Sequence, residues 1–243
     1  MISVCIPTYN GEKFITEQLI SILRQLADND EIIISDDNST DKTLEKIEAI
    51  GDSRIKIFHH HKSRSVLKYR YMYATLNLEN ALMQAKGDYI YLSDQDDIWA
   101  PGKVKLTQQF LQHHLLVCSD CEIIDAEGNT LVQSYFEWNN SKKGIVKNMI
   151  KNSYLGCCMA FKRELLGKVL PISKFNVPHD IWIGLIAEYY GSVYFDQNKQ
   201  VNYRRHDNNL SPSGGSSING LYFKISYRLI LLSSFLLRIF KLK

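Results

Sequence analysis

The chain of 243 residues is short of proline and cysteine, with five of each. So few prolines exclude a collagen-like repeat, and five cysteines spread over this length exclude a disulfide-dense mini-protein. No run approaches the roughly 18 uninterrupted apolar residues of a spanning helix. Charge of either sign is also lacking in excess: Lys plus Arg number 29 against 26 Asp plus Glu, a net +3, which does not point to nucleic acid as a partner. The cysteines, Cys5, Cys118, Cys121, Cys157 and Cys158, are odd in number and follow no signal peptide, the usage expected of a reducing cytosol. Cys118 and Cys121 have zinc-like spacing but no second well-spaced pair, so all five are expected to be ordinary strand thiols. What is present is an ordinary soluble composition, 45% apolar and 23% charged, with length enough for a sizeable core.

The N-terminal half alternates apolar strand-like runs with helical patterns, which predicts an α/β fold built on a mostly parallel sheet. Strands are expected at Ile2–Pro7, Glu31–Ser35, Arg54–His59 and Asp88–Ser93. Helices are expected over Lys13–Gln25, from the capping run Ser39-Thr40-Asp41 to Ile50, and near Tyr73–Ala85. A basic stretch, His59–Arg70, precedes the last of these. Beyond residue 100 the pattern loosens. Leu115–Ile124 and Leu155–Arg163 read as strands, Ala126–Asn129 as a hairpin turn and Ser134–Gly144 as a loop. Asp180–Tyr190 reads as a helix, Ser192–Phe195 and Gln200–Arg204 as two short extended pieces, and Ser211–Asn219 as a linker.

The strongest chemical signal is Asp94-Gln95-Asp96-Asp97 at the carboxyl end of a buried strand, where open α/β sheets bind ligands. Three carboxylates in four residues repel one another unless a cation lies among them, and Mg²⁺ or Mn²⁺ would take such oxygens and bridge to phosphate. A second cluster, Asp36-Asp37-Asn38-Ser39-Thr40-Asp41, closes the second strand. Helix capping accounts for Ser39 and Asp41; an additional carboxylate at the strand end can accept the imide N–H of uracil or thymine. After the first strand comes Pro7-Thr8-Tyr9-Asn10-Gly11, with neither a Gly-x-Gly-x-x-Gly nor a Walker pattern, so a nucleotide here would be gripped by side chains and metal.

Taken together, Pro7-Thr8-Tyr9-Asn10, Asp36–Asp41 and Ser93-Asp94-Gln95-Asp96-Asp97-Ile98-Trp99 resemble the family 2 glycosyltransferases, inverting enzymes of the GT-A fold, and in the last run the rhamnosyltransferase-like members of bacterial surface-polysaccharide synthesis. The resemblance covers about residues 1–210, with a nucleotide-sugar half over about 1–100 and an acceptor half over about 101–210. It implies that Pro7 and Tyr9 line a base pocket, Asp37 contacts the nucleobase, Asp94 lies near ribose and diphosphate, and Asp96 binds a Mn²⁺ or Mg²⁺ cofactor. Asn77 is read either as a nucleotide contact or as a helix-surface residue. His179-Asp180 occupies the place of the family's catalytic base, Asp180 serving as base or merely capping its helix. Tyr203-Arg204-Arg205-His206 resembles the family's closing segment, which would give His206 to the metal and Arg204 or Arg205 to the diphosphate. The implied partners are a nucleotide-sugar donor, UDP- or dTDP-linked, and a glycan or lipid-linked acceptor. The expected reaction is a single displacement in which a base deprotonates the acceptor hydroxyl.

Two other classes fit the sequence less well. A sugar-1-phosphate nucleotidyltransferase needs a glycine-rich basic loop after the first strand, and Tyr9-Asn10-Gly11-Glu12 supplies none. A non-catalytic membrane-surface module could do without the Asp94–Asp97 carboxylates and Asp180. Residues 221–243 carry five basic side chains, Lys224, Arg228, Arg238, Lys241 and Lys243, and no acidic one. The net +3 therefore conceals a body of −2. The segment is expected to form an amphipathic helix, lying on anionic lipid at the cytoplasmic face of the membrane or docked on the domain.

Overall fold

The computed structural model describes residues 1–60, 71–206 and 221–241. The linker expected at Ser211–Asn219 and most of the basic stretch His59–Arg70 lie outside the described residues. In chain order the elements are β1 (Ile2–Thr8), α1 (Ile15–Leu23), β2 (Glu31–Asp36), α2 (Thr43–Glu48), β3 (Ile55–His59), α3 (Tyr71–Gln84), β4 (Tyr89–Leu92), β5 (Ile98–Trp99), α4 (Lys103–Leu111), β6 (Leu116–Ile124) and β7 (Thr130–Val132). Then come α5 (Tyr135–Asn139), α6 (Ile145–Ile150), β8 (Met159–Lys162), α7 (Leu166–Val169), α8 (His179–Tyr190), β9 (Val193–Arg204) and α9 (Leu221–Lys241).

One sheet joins both halves in the order β3-β2-β1-β4-β8-β6-β9-β5, with β7 on β6. The strands β3, β2, β1 and β4 are mutually parallel, as the alternation of strand and helix requires. Their β-branched runs, such as Ile32-Ile33-Ile34, are fully buried because helices cover both faces. The second half of the sheet is mixed: β8 runs antiparallel to β4 and β6, β9 parallel to β6, and β5 antiparallel to β9.

Register positions the site. Thr8 pairs with Asp36 and Cys5 with Leu92, so β1, β2 and β4 deliver the Tyr9, Asp37 and Asp94 segments to one edge. On the far side Asn202 pairs with Ile98, which carries residues 204–206 back across the Asp94–Asp97 turn.

Several expectations are corrected. Ser134–Gly144 is not simply loop: Ser134 caps α5 by accepting the Glu137 N–H at 3.1 Å, the first half of a capping box. The strand expected over Leu155–Arg163 is confined to Met159–Lys162, because Gly156–Cys158 forms a 3-10 turn. The two extended pieces near residue 200 are one strand, β9, irregular opposite Ser119–Cys121. All five cysteines are buried free thiols; Cys5, Cys118 and Cys121 lie in strands as expected, while Cys157 and Cys158 lie in the 3-10 turn instead.

Helix α9 docks on the domain through Leu231, Phe235 and Ile239, with Ser234 donating to Phe175 O. Arg228 donates to Ile150 O at 2.8 Å and Arg238 to Lys168 O at 2.7 Å, so two of the five basic side chains are committed to protein carbonyls. Ile225, Leu229, Leu232, Leu236, Leu237 and Phe240 face outward. Among the described residues no helix is long and apolar enough to cross a membrane.

Candidate active site

The loops after β1 and β2 are zipped together by side chains. Thr8 Oγ1 donates to Asp36 Oδ1 at 3.0 Å, and Asp36 also accepts the Ser39 N–H at 2.9 Å and hydroxyl at 2.6 Å. Asn10, in the left-handed region, accepts the Thr40 N–H at 2.8 Å. Asp36 is thus a scaffold residue. Asp37 is buried, its N–H donating to Thr8 O and its Oδ1 3.0 Å from His60 Nδ1. Asp36→Ala is therefore expected to lower stability by about 2 kcal/mol, because it removes the acceptor of one buried and two half-buried donors. Urea unfolding is the check, and a loss below about 0.5 kcal/mol contradicts it.

Asn77 lies behind the strand end rather than on a helix surface. Buried on α3, it donates Nδ2 to Thr8 O at 3.0 Å.

The Asp94–Asp97 turn is tied to Tyr9 by an amide. Tyr9 N–H donates to Gln95 Oε1 at 2.9 Å and Gln95 Nε2 donates to Tyr9 O at 3.1 Å, a side-chain imitation of a strand pair. The contact is close enough that a Cβ on Gly11 would lie 2.5 Å from Gln95 Oε1. Half-exposed Tyr9 and the carboxylate turn are thereby held at a fixed spacing. Gly11→Ala must displace this amide. The expected outcome is a nucleotide affinity about tenfold weaker with the fold intact; unchanged nucleotide titrations contradict it.

Within the turn each acid has a different environment. Asp96 Oδ2 lies 2.8 Å from His206 Nε2, and the His206 ring packs on Phe14. Asp97 accepts the Arg204 N–H at 3.0 Å through Oδ1. Its burial, reinforced by the charges of Asp96 and Asp94, pushes its carboxyl well above the carboxylate range. Burial and the Asp96 charge push Asp94 up to about 7. Arg204 is buried, its guanidinium donating to Asp96 O at 2.9 Å, Ala126 O at 3.0 Å and Glu17 Oε2 at 2.7 Å. Its role here is to clamp the turn's main chain. Arg205 is half-buried next to it, its N–H donating to Ile124 O at 2.8 Å.

Facing the turn is the start of α8. Asp180 Oδ2 accepts Asn152 Nδ2 at 2.9 Å, while Oδ1 is buried and accepts no hydrogen bond from any described residue. Burial raises the Asp180 carboxyl above its usual range, opposed by His179, by the backbone N–H groups of Ile181 and Asp180 at the helix start, and by Asn152. His179, lowered by burial, sits with Nδ1 3.3 Å from Thr75 Oγ1. Asp180 contributes to raising Asp94, so the two carboxyls share one electrostatic environment.

A family model for glycosyl transferase family 2 matches residues 3–170. The chain is 31% identical to the dTDP-rhamnosyl transferase RfbG of Shigella flexneri over 243 aligned residues, covering 91% of this chain and 76% of RfbG. This chain belongs to glycosyl transferase family 2. It is 28% identical to WfgD of Escherichia coli, a UDP-Glc:alpha-D-GlcNAc-diphosphoundecaprenol beta-1,3-glucosyltransferase, over 77% of this chain and 70% of that protein. Its fold matches Staphylococcus aureus TarS 1–349 in complex with UDP-GlcNAc at a TM-score of 0.67 and 20% identity, over 95% of this chain and 65% of that one.

Two donor sets in this glycosyltransferase could receive a divalent ion. Asp94, Asp97 and Cys157 bring ligand atoms within 4.8 Å of one another. Burial holds the Cys157 thiol protonated, and a neutral thiol is a poor partner for a hard cation. Asp96 Oδ2 and His206 Nε2, converged at 2.8 Å, offer instead one carboxylate oxygen and one imidazole nitrogen.

Motif reading did not reach Gln95, Gly11 or Asn152. Gln95 sits inside the acidic run but carries no charge to draw notice. Gly11 follows Asn10 at the end of β1, where a tight turn is the only local signal. Asn152 has no motif at all, and its contact with Asp180 spans 28 positions.

Proposed function

We propose that this glycosyltransferase moves a sugar from a UDP- or dTDP-linked donor to a hydroxyl of a glycan or lipid-linked acceptor in the assembly of a bacterial surface polysaccharide. The observation that carries the mechanism is Asp180, one oxygen held by Asn152 and the other, buried, without a hydrogen-bond partner among the described residues, close enough to the Asp94–Asp97 turn for its charge to raise Asp94. Residues 1–100 would form the donor half and residues 101–210 the acceptor half.

On the donor side Pro7 and Tyr9 flank the base, and Asp37 accepts the imide N–H of a pyrimidine, a contact equally available to uracil and thymine. Asn77 acts from behind by fixing Thr8, and Asp94 lies beside the ribose and diphosphate. Arg205 adds positive charge near the phosphates, while Arg204 holds the turn. Asp96 and His206 would hold the divalent ion, which would neutralise the diphosphate as it leaves. On the acceptor side Asp180 Oδ1 takes the hydroxyl proton as that oxygen bonds to the anomeric carbon. The bond from that carbon to the diphosphate breaks from the opposite face, so the configuration inverts with no covalent enzyme intermediate.

The test is turnover of UDP-glucose and dTDP-rhamnose, the donor types in the names of WfgD and RfbG, by the full chain with Mn²⁺. Release of the nucleoside diphosphate from either supports the reading. Absence of both binding and turnover for every pyrimidine nucleotide sugar tried overturns it.

We also propose that α9 seats the enzyme on the cytoplasmic face of an anionic membrane. With Arg228 and Arg238 turned to domain carbonyls, the outward stripe from Ile225 to Phe240 supplies most of the affinity by apolar burial. Leu229→Glu combined with Leu236→Glu is expected to abolish co-sedimentation with vesicles containing phosphatidylserine while leaving donor hydrolysis unchanged. Retained co-sedimentation would exclude the stripe.

A further inference from the structure

We infer that Asn152 is a positioning residue that orients Asp180 and keeps it ionised for catalysis; this rests on Asp180 being the base. The orientation of the Asn152 amide follows from its partners. Its Oδ1 accepts the Tyr154 N–H at 2.9 Å, and its Nδ2 donates both to Tyr154 O at 3.0 Å and to Asp180 Oδ2 at 2.9 Å. Turning the amide over would set an oxygen against two acceptors and an NH₂ against a donor, so only this arrangement satisfies every group.

Tyr154 in turn is fixed to the helix that carries Asp180. Its hydroxyl donates to Glu188 Oε1 at 2.5 Å, and Glu188 also accepts the Gly144 N–H and the Asn148 amide. Its ring presses on Gly184 so closely that a Cβ there would stand 2.3 Å from the ring. Asn152, Tyr154 and α8 therefore form one unit, and Asn152 cannot swing away from Asp180 without disturbing that packing. One carboxylate oxygen stays occupied by a donor, and the other is left for the proton of the acceptor hydroxyl.

The groups that face Asp180 make this donor consequential. His179 shares its helix, Asp94 faces it from the carboxylate turn, Tyr135 from α5 and Tyr227 from α9. Burial keeps both tyrosines neutral, and Asp94 works against ionisation of Asp180. A hydrogen bond to the ionised form favours it; the Ile181 and Asp180 backbone N–H groups act from within α8, and Asn152 adds a side-chain donor from outside it.

The test is the pH dependence of donor hydrolysis, with water standing in for the acceptor hydroxyl, using UDP-glucose or dTDP-rhamnose and the full chain. Asn152→Asp keeps the side-chain shape but replaces the donor with an acid. Its expected effect is an upward move of the acidic limb of kcat by about one pH unit, with KM for the donor within about twofold. Asn152→Ala is expected to lower kcat about tenfold or more with a similar KM. An acidic limb that does not move in Asn152→Asp overturns the proposal, because a purely structural role would change amount and melting temperature but not the limb. Asp180→Asn in the same assay separates the two ideas. Full hydrolysis by Asp180→Asn fails the base assignment; loss there with an unmoved limb in Asn152→Asp fails Asn152 alone.

Discussion

Asp180→Asn is expected to cut transfer and donor hydrolysis by roughly 10²–10⁴-fold, the usual contribution of a positioned general base, while nucleotide affinity stays within about twofold. The substitution keeps the size of the side chain at the start of α8, so the fold should survive. What it removes is a group able to accept the hydroxyl proton at Oδ1. The pH profile carries the same assignment. A base must be deprotonated to act, and burial raises the Asp180 pKa. Activity should therefore fall as pH drops through a value above the ordinary carboxylate range. The variant should lose that limb together with its rate. An Asp180→Asn enzyme that turns over at the parental rate, or one whose loss follows weakened nucleotide binding, would remove Asp180 from the chemistry.

The second large effect belongs to Asp96. Asp96→Ala is expected to lower turnover by roughly 10³-fold, several kcal/mol of leaving-group stabilisation, and to abolish the response to added Mn²⁺. His206→Ala should move in the same direction by a smaller factor. The fold should tolerate both changes. Arg204 grips the main-chain carbonyl of Asp96 at 2.9 Å, and the Asp96 carboxylate lies 2.8 Å from His206. Asp97 is the contrast: its carboxylate holds the Arg204 N–H, so Asp97→Ala should cost stability before activity. Thermal denaturation beside Mn²⁺ titration distinguishes the two positions. A fully active Asp96→Ala enzyme with an unchanged Mn²⁺ response would contradict the assignment.

The parallel half of the fold was legible because β-branched runs such as Ile32-Ile33-Ile34 have no use outside a sheet buried on both faces. The acids at the strand ends were legible for the same reason: a carboxylate following such a run is brought to the sheet's binding edge by register alone. Beyond residue 100 that logic weakens. Helix α4 buries Lys103 while Lys105 and Gln109 face solvent, and β9 departs from regular pairing where it passes Ser119–Cys121, so neither shows a clean period. Ser134-Tyr135-Phe136-Glu137 did contain a readable helix start. The roles within the clusters were the least visible. Asp36 and Asp37 are neighbours, yet one is bonded into the scaffold and the other turned to His60. Arg204 and Arg205 divide similarly between clamp and half-buried surface. Those differences come largely from partners as far as 187 positions away, which adjacency in sequence does not encode.

The claim at the centre of this account is that one displacement, driven by Asp180 from the face opposite the diphosphate, does the chemistry. Proton NMR of the product formed from UDP-glucose or dTDP-rhamnose, recorded before the anomers equilibrate, reads it directly. The account predicts the anomeric configuration opposite to that of the donor. A product that retains the donor's configuration would contradict it, because retention requires a second displacement or a same-face route that Asp180 does not provide.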